Sequence, residues 1–318
     1  MTRLAVLITM GAALTALPGL ASEDIADKYP QSELYDKPVE VIPHVFSAIG
    51  ATAPPTYENS GHNNNLSFVV TGDGVVVING GASVRLAAAL HDEIRAVTDQ
   101  PVKLVINENG QGHAMLGNAY WLDQGVDILA HRDAAEVFAR DGDFILQGMM
   151  RYNRDKAEGT RVVAPTRVFD ESETVQMGDV TLEVLHLGPA HDPGDVQVWI
   201  PQWGLVIAGD IAFHERMPPI FEGTDTDAWI ETFDGPFTAL GATWVIPGHG
   251  HPTNMAQVTR YTSDYIKDLR GKIRDHIDAG GDLAGAFYVD QSAWAHLDTF
   301  EELATKNAGR VFEEMEWE

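Results

Sequence analysis

Short apolar runs in this chain end, one after another, in residues able to hold a metal or move a proton. Leu205-Val-Ile-Ala-Gly-Asp210 ends in a carboxylate and Trp244-Val-Ile-Pro-Gly-His249 in an imidazole. Val102–Ile106 runs directly into the glycine-rich loop Asn107-Glu-Asn-Gly-Gln-Gly-His-Ala-Met-Leu-Gly-Asn118. A fourth polar group, His191, sits in the turn sequence Gly188-Pro-Ala-His-Asp-Pro-Gly-Asp195. Runs of this length and composition are buried strands. Each such run therefore delivers a polar, chemically capable side chain at the end of a buried strand.

The intervening sequence alternates strand and helix signals. Leu66–Val70 and Val75–Ile78 flank Gly72-Asp73-Gly74, a hairpin turn signal. Ser83 caps a helical pattern with Leu86, Leu90, Ile94 and Val97 on one face. A strand at Asp127–Ala130 precedes a helix starting near Arg132, and Phe138–Thr166 breaks the alternation, either as an insertion over a site or as an ordinary helical excursion. Strands recur at Val180–Leu187, Val196–Ile200 and Leu205–Ala208, then a helix at Asp227–Leu240, a strand at Thr243–Ile246 and one long helix over Pro252–Ala279. Two successive runs of strands, each closed by helices, predict an α/β, four-layer αββα sandwich.

With 318 residues and 44% hydrophobic content, the chain can bury a full core. Residues 1–21 carry one basic residue, an apolar run, Pro18 and then Gly19 and Ala21, the pattern of a cleaved secretory signal rather than an uncleaved anchor. Residues 22–60 are Pro-rich and predict an extended arm with one strand at Val39–Ala48, ahead of a domain over 61–318. The chain has no cysteine, which excludes disulfides, thiolate ligands and lipoprotein attachment. Cleavage removes Arg3 and no acid, taking the net charge from −26 to −27. That field disfavours nucleic acid and anionic lipid as partners. The expected location is periplasmic or secreted, with no membrane attachment after cleavage.

Taken together, the loop at 107–118, His191, Asp210 and His249 resemble the metallo-β-lactamase superfamily, whose loop reads Thr-His-x-His-x-Asp-His followed by Gly-Asn. In that register this chain has Glu108, Asn109, Gln111, His113 and Ala114, then Gly117-Asn118. The stretches at Asp210–Pro219, Asp227–Trp229 and Asn307–Trp317 look like an exported branch found with quinoprotein dehydrogenase and sulfur-oxidation systems and described as zinc metallohydrolases.

The resemblance implies two metal sites, and the loop departs from both. Asn109 and Gln111 replace the two loop histidines of the first site, and neutral amides are weaker zinc donors than imidazole. His113 replaces the aspartate of the second site and Ala114 its histidine. The set that remains is His113, Asp210 and His249, with His191 as a fourth ligand or as an acid/base. It suits one Zn²⁺, with Fe²⁺ as the alternative. Glu108 is the nearby acid able to replace the lost aspartate, and Asn79 stands where relatives place a structural Asp.

The implied activity is a metal-dependent hydrolase acting on an ester, lactone, amide or related bond of a small molecule. Asp210 and His191 serve the reaction there, and Asn109 or Gln111 polarises the substrate. The alternative is a binding or accessory protein with a periplasmic protein partner, and a redox role with iron stands behind both. His62, His214, Glu215 and Arg216 are candidate pocket residues, His251 a surface residue, and His131 and His186 packed structural histidines.

Overall fold

The computed structural model describes residues 32–318. The predicted signal at 1–21 lies outside them, as does the first part of the predicted arm. Twelve strands are found among the described residues: β1 (Val39–Ile42), β2 (Val45–Ala48), β3 (Leu66–Val70), β4 (Val75–Ile78), β5 (Val102–Ile106), β6 (Asp127–His131), β7 (Arg167–Phe169), β8 (Ser172–Met177), β9 (Val180–Leu185), β10 (Gln197–Ile200), β11 (Leu205–Phe213) and β12 (Trp244–His249). The first seven form one sheet in chain order, and the second sheet runs β12-β11-β10-β9-β8. β4 to β7 are parallel, as are β11 and β12; the other pairs are antiparallel.

Alternation along the strands builds the layers. Val76 and Ile78 of β4, Leu104 and Ile106 of β5, Ile207 of β11 and Ile246 of β12 meet in the core between the sheets. The neighbouring residues face outward. Val75, Val77 and Val105 pack against Leu86, Leu90 and Ile94 of helix α1 (Val84–Val97). Beyond it come α2 (Gly112–Met115), α3 (Asn118–Asp123), α4 (Arg132–Asn153), α5 (Thr226–Thr232), α6 (Met255–Tyr261), α7 (Ser263–Asp278), α8 (Leu283–Ala286) and α9 (Phe300–Met315). On the second sheet Val206, Ala208 and Val245 cluster with Ile266, Leu269 and Ile273 of α7 and Val311 of α9. The result is the expected helix–sheet–sheet–helix sandwich.

Several boundaries differ from the sequence reading. Val39–Ala48 is a hairpin and not one strand, because His44 adopts φ 76° between β1 and β2. Both strands belong to the first sheet, and Leu34 is buried, so this part of the arm is integral to the fold. The helix expected over Pro252–Ala279 starts at Met255, where Asn254 caps it, and breaks at Thr262. There the Thr262 hydroxyl serves β11, accepting from the Phe213 amide at 2.9 Å and donating to its carbonyl at 3.2 Å. β11 itself runs past Ala208 to Phe213 through an irregularity at Gly209. The helical run from Asp225 loosens into a wider turn around Pro236. β7, β8 and α9 were not expected. β8 alternates polar residues at the sheet edge, where period-two patterning is weak. Phe138–Thr166 is largely the continuation of α4, a helical excursion that also borders the site.

Candidate active site

The loop after β5 is held open by its own asparagines. Asn107 and Asn118 exchange side-chain amide hydrogen bonds at 2.9 and 3.0 Å, and Asn107 also donates to the Ala114 carbonyl at 2.7 Å. Asn79 adopts φ 72°, a conformation asparagine tolerates better than most residues, and its Oδ1 accepts from the Glu108 amide at 3.1 Å. Asn79 is thus a backbone anchor for the loop.

Glu108, His113 and Asp210 meet beneath a cavity. His113 Nε2 is hydrogen-bonded to Glu108 Oε1 at 3.1 Å and lies 3.5 Å from Asp210 Oδ2, within ion-pair distance. Close approach of β11 requires glycine: a Cβ at Gly209, where φ is +63°, would stand 2.3 Å from Glu108 Oε2. Burial, then repulsion from Asp210, pushes the Glu108 carboxyl up to about 7. Burial lowers the His113 pKa, but Asp210 and Glu108 outweigh it and the net direction is upward. For Asp210 burial opposes ionisation, yet His249 and His113 hold the carboxyl well below the usual range.

On the other side, His249 Nε2 lies 3.3 Å from Asp210 Oδ1. Its Nδ1 lies 2.5 Å from the Asn63 carbonyl and 3.1 Å from Arg216 Nη1. A ring nitrogen cannot donate to the one and accept from the other, and the shorter contact decides: Nδ1–H donates to Asn63. The unprotonated Nε2 then faces a carboxylate oxygen. His249 also stacks on Phe213, with centroids 5.1 Å apart and planes 7° apart. Burial carries both His249 and His191 down to about 4 and the Arg216 guanidinium to about 10, so the imidazoles are neutral and the arginine is a cation.

This arrangement fits a cation. One ligand atom from each of His113, Asp210 and His249 lies within 4.8 Å of the others. Asp210 Oδ1 is buried without a hydrogen-bond partner among the described residues, and a Nε2 lone pair is aimed at it. A carbonyl behind Nδ1 is the usual device for fixing a ligating histidine's tautomer. Ligation by His113 Nε2 requires that its proton leave.

His191 stands outside this group. Its Nδ1 is 3.7 Å from Asp210 Oδ2 but is taken by Gln111 Nε2 at 3.0 Å, and its Nε2 is buried without a partner among the described residues. Asn109 is fully buried and spent at both ends: Nδ2 donates to Asp210 Oδ2 at 3.1 Å, and Oδ1 accepts from the Gln111 amide at 3.0 Å. Gln111, His113, His191, Asp210, Arg216 and His249 all line the cavity, of about 480 Å³.

The remaining candidates sort differently. His62 is buried away from the cavity lining, its Nδ1 accepting from the Tyr35 amide. Glu215 binds the exposed His251, and His214 bonds the His251 carbonyl. His131 and His186 stack at 4.0 Å as packed residues. Sequence reading did not find Asn63, whose carbonyl carries no side-chain signal, nor Thr299, Glu302, Leu303 and Lys306 at the start of α9, which also border the cavity.

No family model matches this sequence. A type 2 metallo-β-lactamase of Bacteroides fragilis is 25% identical over 193 residues, covering 57% of this chain and 70% of that protein. A solved metallo-β-lactamase from Pontibacter korlensis superposes with a TM-score of 0.60 at 18% identity, over 73% of this chain and 99% of that one. The chain has the fold of the metallo-β-lactamase superfamily. A stereoselective inverting sec-alkylsulfatase from a Pseudomonas species shares the superfamily fold with a TM-score of 0.63 at 16% identity. It covers 89% of this chain, which spans about half (52%) of that protein.

Within the superfamily fold, the polar residues gather where strand ends of both sheets meet. β5 brings the loop with His113, β11 brings Asp210 and Arg216 follows it, and β12 brings His249.

Proposed function

We propose that this chain is an exported hydrolase of the metallo-β-lactamase type that works with a single divalent ion, zinc in the first instance, on an ester, lactone, amide or related bond of a small molecule. The observation that carries the proposal is the convergence of His113, Asp210 and His249 on one point at the base of a cavity, with an unpartnered carboxylate oxygen there. A divalent ion held by those residues supplies Lewis acidity and brings the pKa of water toward ~7. Asn109 positions the Asp210 carboxylate. With Gln111 donating to its Nδ1, neutral His191 carries its proton on the unpartnered Nε2, a donor for charge developing on a reacting oxygen. Arg216 keeps a buried positive charge beside the same cavity. A β-lactamase and an alkylsulfatase stand among the similar proteins, which supports hydrolysis as the shared chemistry and leaves the bond open.

A second reading has its own observation. Asn109 and Gln111 close hydrogen bonds with Asp210 and His191, filling with amides the place of one superfamily metal site. This favours a chain that keeps the pocket to bind a ligand or to serve a periplasmic partner without turnover.

Metal analysis of protein purified without chelators, joined to a panel of ester, lactone, amide and sulfate ester substrates, separates the two. About one ion per chain and turnover lost in Asp210→Ala support the hydrolase. A metal-free chain inert to the whole panel overturns it.

A further inference from the structure

The lining of the cavity is mixed. His113, Asp210, Arg216 and His249 form its polar base and α9 adds Glu302 and Lys306, whereas one stretch of the helical wall is apolar: Leu116 after α2, Ile145, Met149 and Tyr152 from α4, and Leu303 from α9. Among the helix residues is Gly148, in the interior of α4. A helical glycine is unfavourable relative to alanine and calls for a reason. For Gly142 in the same helix the reason is packing, since a Cβ there would lie 2.8 Å from Val162 Cγ1. At Gly148 a Cβ would meet nothing within 4 Å. What the missing side chain preserves is open volume on the cavity wall.

We infer that the cavity takes a small amphiphile with an anionic head and a hydrocarbon arm, the arm lying along α4 through the space kept open at Gly148. This rests on the cavity being the reaction site proposed above and names its substrate class. The head is matched by Arg216, which is buried at 5% exposure and whose Nε has no hydrogen-bond partner among the described residues. The net charge of −26 works against an anion at long range, so burial of the arm supplies the affinity. Gly148 then acts as a specificity-determining position.

The test is calorimetric binding of sodium butyrate and sodium decanoate to the full chain, below the micellar concentration, in wild type and Gly148→Phe. Decanoate is expected to bind one per chain and at least about tenfold more tightly than butyrate, as burial of several methylenes requires. Gly148→Phe is expected to remove most of that difference by weakening decanoate binding. Gly148→Leu replaces it if thermal melting shows that the phenylalanine variant does not fold. Equal affinities in wild type, or a folded variant that keeps the chain-length preference, overturn the inference. Decanoate binding in a chain that hydrolyses nothing removes the proposed reaction and leaves this inference standing.

Discussion

Asn109 turns its amide nitrogen, not its oxygen, toward Asp210: Nδ2 donates to Oδ2 over 3.1 Å, while Oδ1 is occupied by the Gln111 backbone. The Asn109 amide is thus hydrogen-bonded at both ends, to a buried carboxylate and to the loop backbone. Gln111 is similarly engaged with His191. Imidazoles at positions 109 and 111 would remove both sets of amide hydrogen bonds. The double variant Asn109→His, Gln111→His is expected to raise bound zinc from about one to about two ions per chain, His191 being released as the third ligand. Elemental analysis after dialysis against zinc checks this, and a stoichiometry equal to wild type contradicts it.

Removal of one ligand isolates the proposed single site. His249→Ala leaves Asp210 Oδ1 without its facing nitrogen. It is expected to lower metal affinity by at least ~10²-fold and turnover by ~10³-fold or more, with the melting curve of the chelated protein shifted only modestly. Competition with a chromophoric chelator measures the first effect. An affinity equal to wild type removes His249 from the ligand set.

Acid sensitivity follows from buried neutral histidine. Burial takes His62 down to about 4, against 6.5 for the free side chain. Its folded pKa lies below the unfolded one, so the unfolded chain binds the extra proton between those values. This contribution to stability is complete above pH ~6.5 and declines as pH falls toward ~4, by up to ~3 kcal/mol. His62→Asn keeps an acceptor for the Tyr35 amide. Denaturant titrations of the chelated protein are expected to show a shallower loss of stability in that window for the variant, and parallel curves would contradict the assignment.

Glu108 works with the opposite sign. Its folded pKa, about 7, lies above its ordinary 4.5, so its contribution is present below pH ~4.5 and lost as pH rises through 7. Glu108→Gln keeps an acceptor for His113 without the buried charge. The chelated variant is expected to match or fall below wild type at pH 5 and to exceed it at pH 8, by a few kcal/mol at most. Melting temperatures at the two pH values decide, and a variant less stable at both would show that the carboxylate is needed as an anion.

Much of the site is legible in the amino-acid sequence because its signals are local. Near-continuous apolar runs mark β4, β5, β11 and β12, and the resemblance implies that the polar residues at their ends share one edge, where Asp210, His249 and the loop with His113 do converge. The split of the Pro252–Ala279 helix is not legible there, because Thr262 breaks it to serve Phe213, 49 residues away. The wall of the cavity is legible in part: Phe138–Thr166 breaks the alternation as an insertion over a site would, whereas the α9 residues that border the cavity carry no such signal.

By itself the sequence determined the layered α/β sandwich and the order of the polar strand ends, since patterning along the chain suffices for these. Only the tertiary structure decided that Asn109 spends itself on Asp210, 101 residues away, that Gln111 occupies His191 Nδ1, and that Asn63 sets the His249 tautomer. Those outcomes depend on which atom of a side chain meets which distant partner in a water-poor interior. There every buried donor and acceptor competes for a mate, and no local pattern records the result.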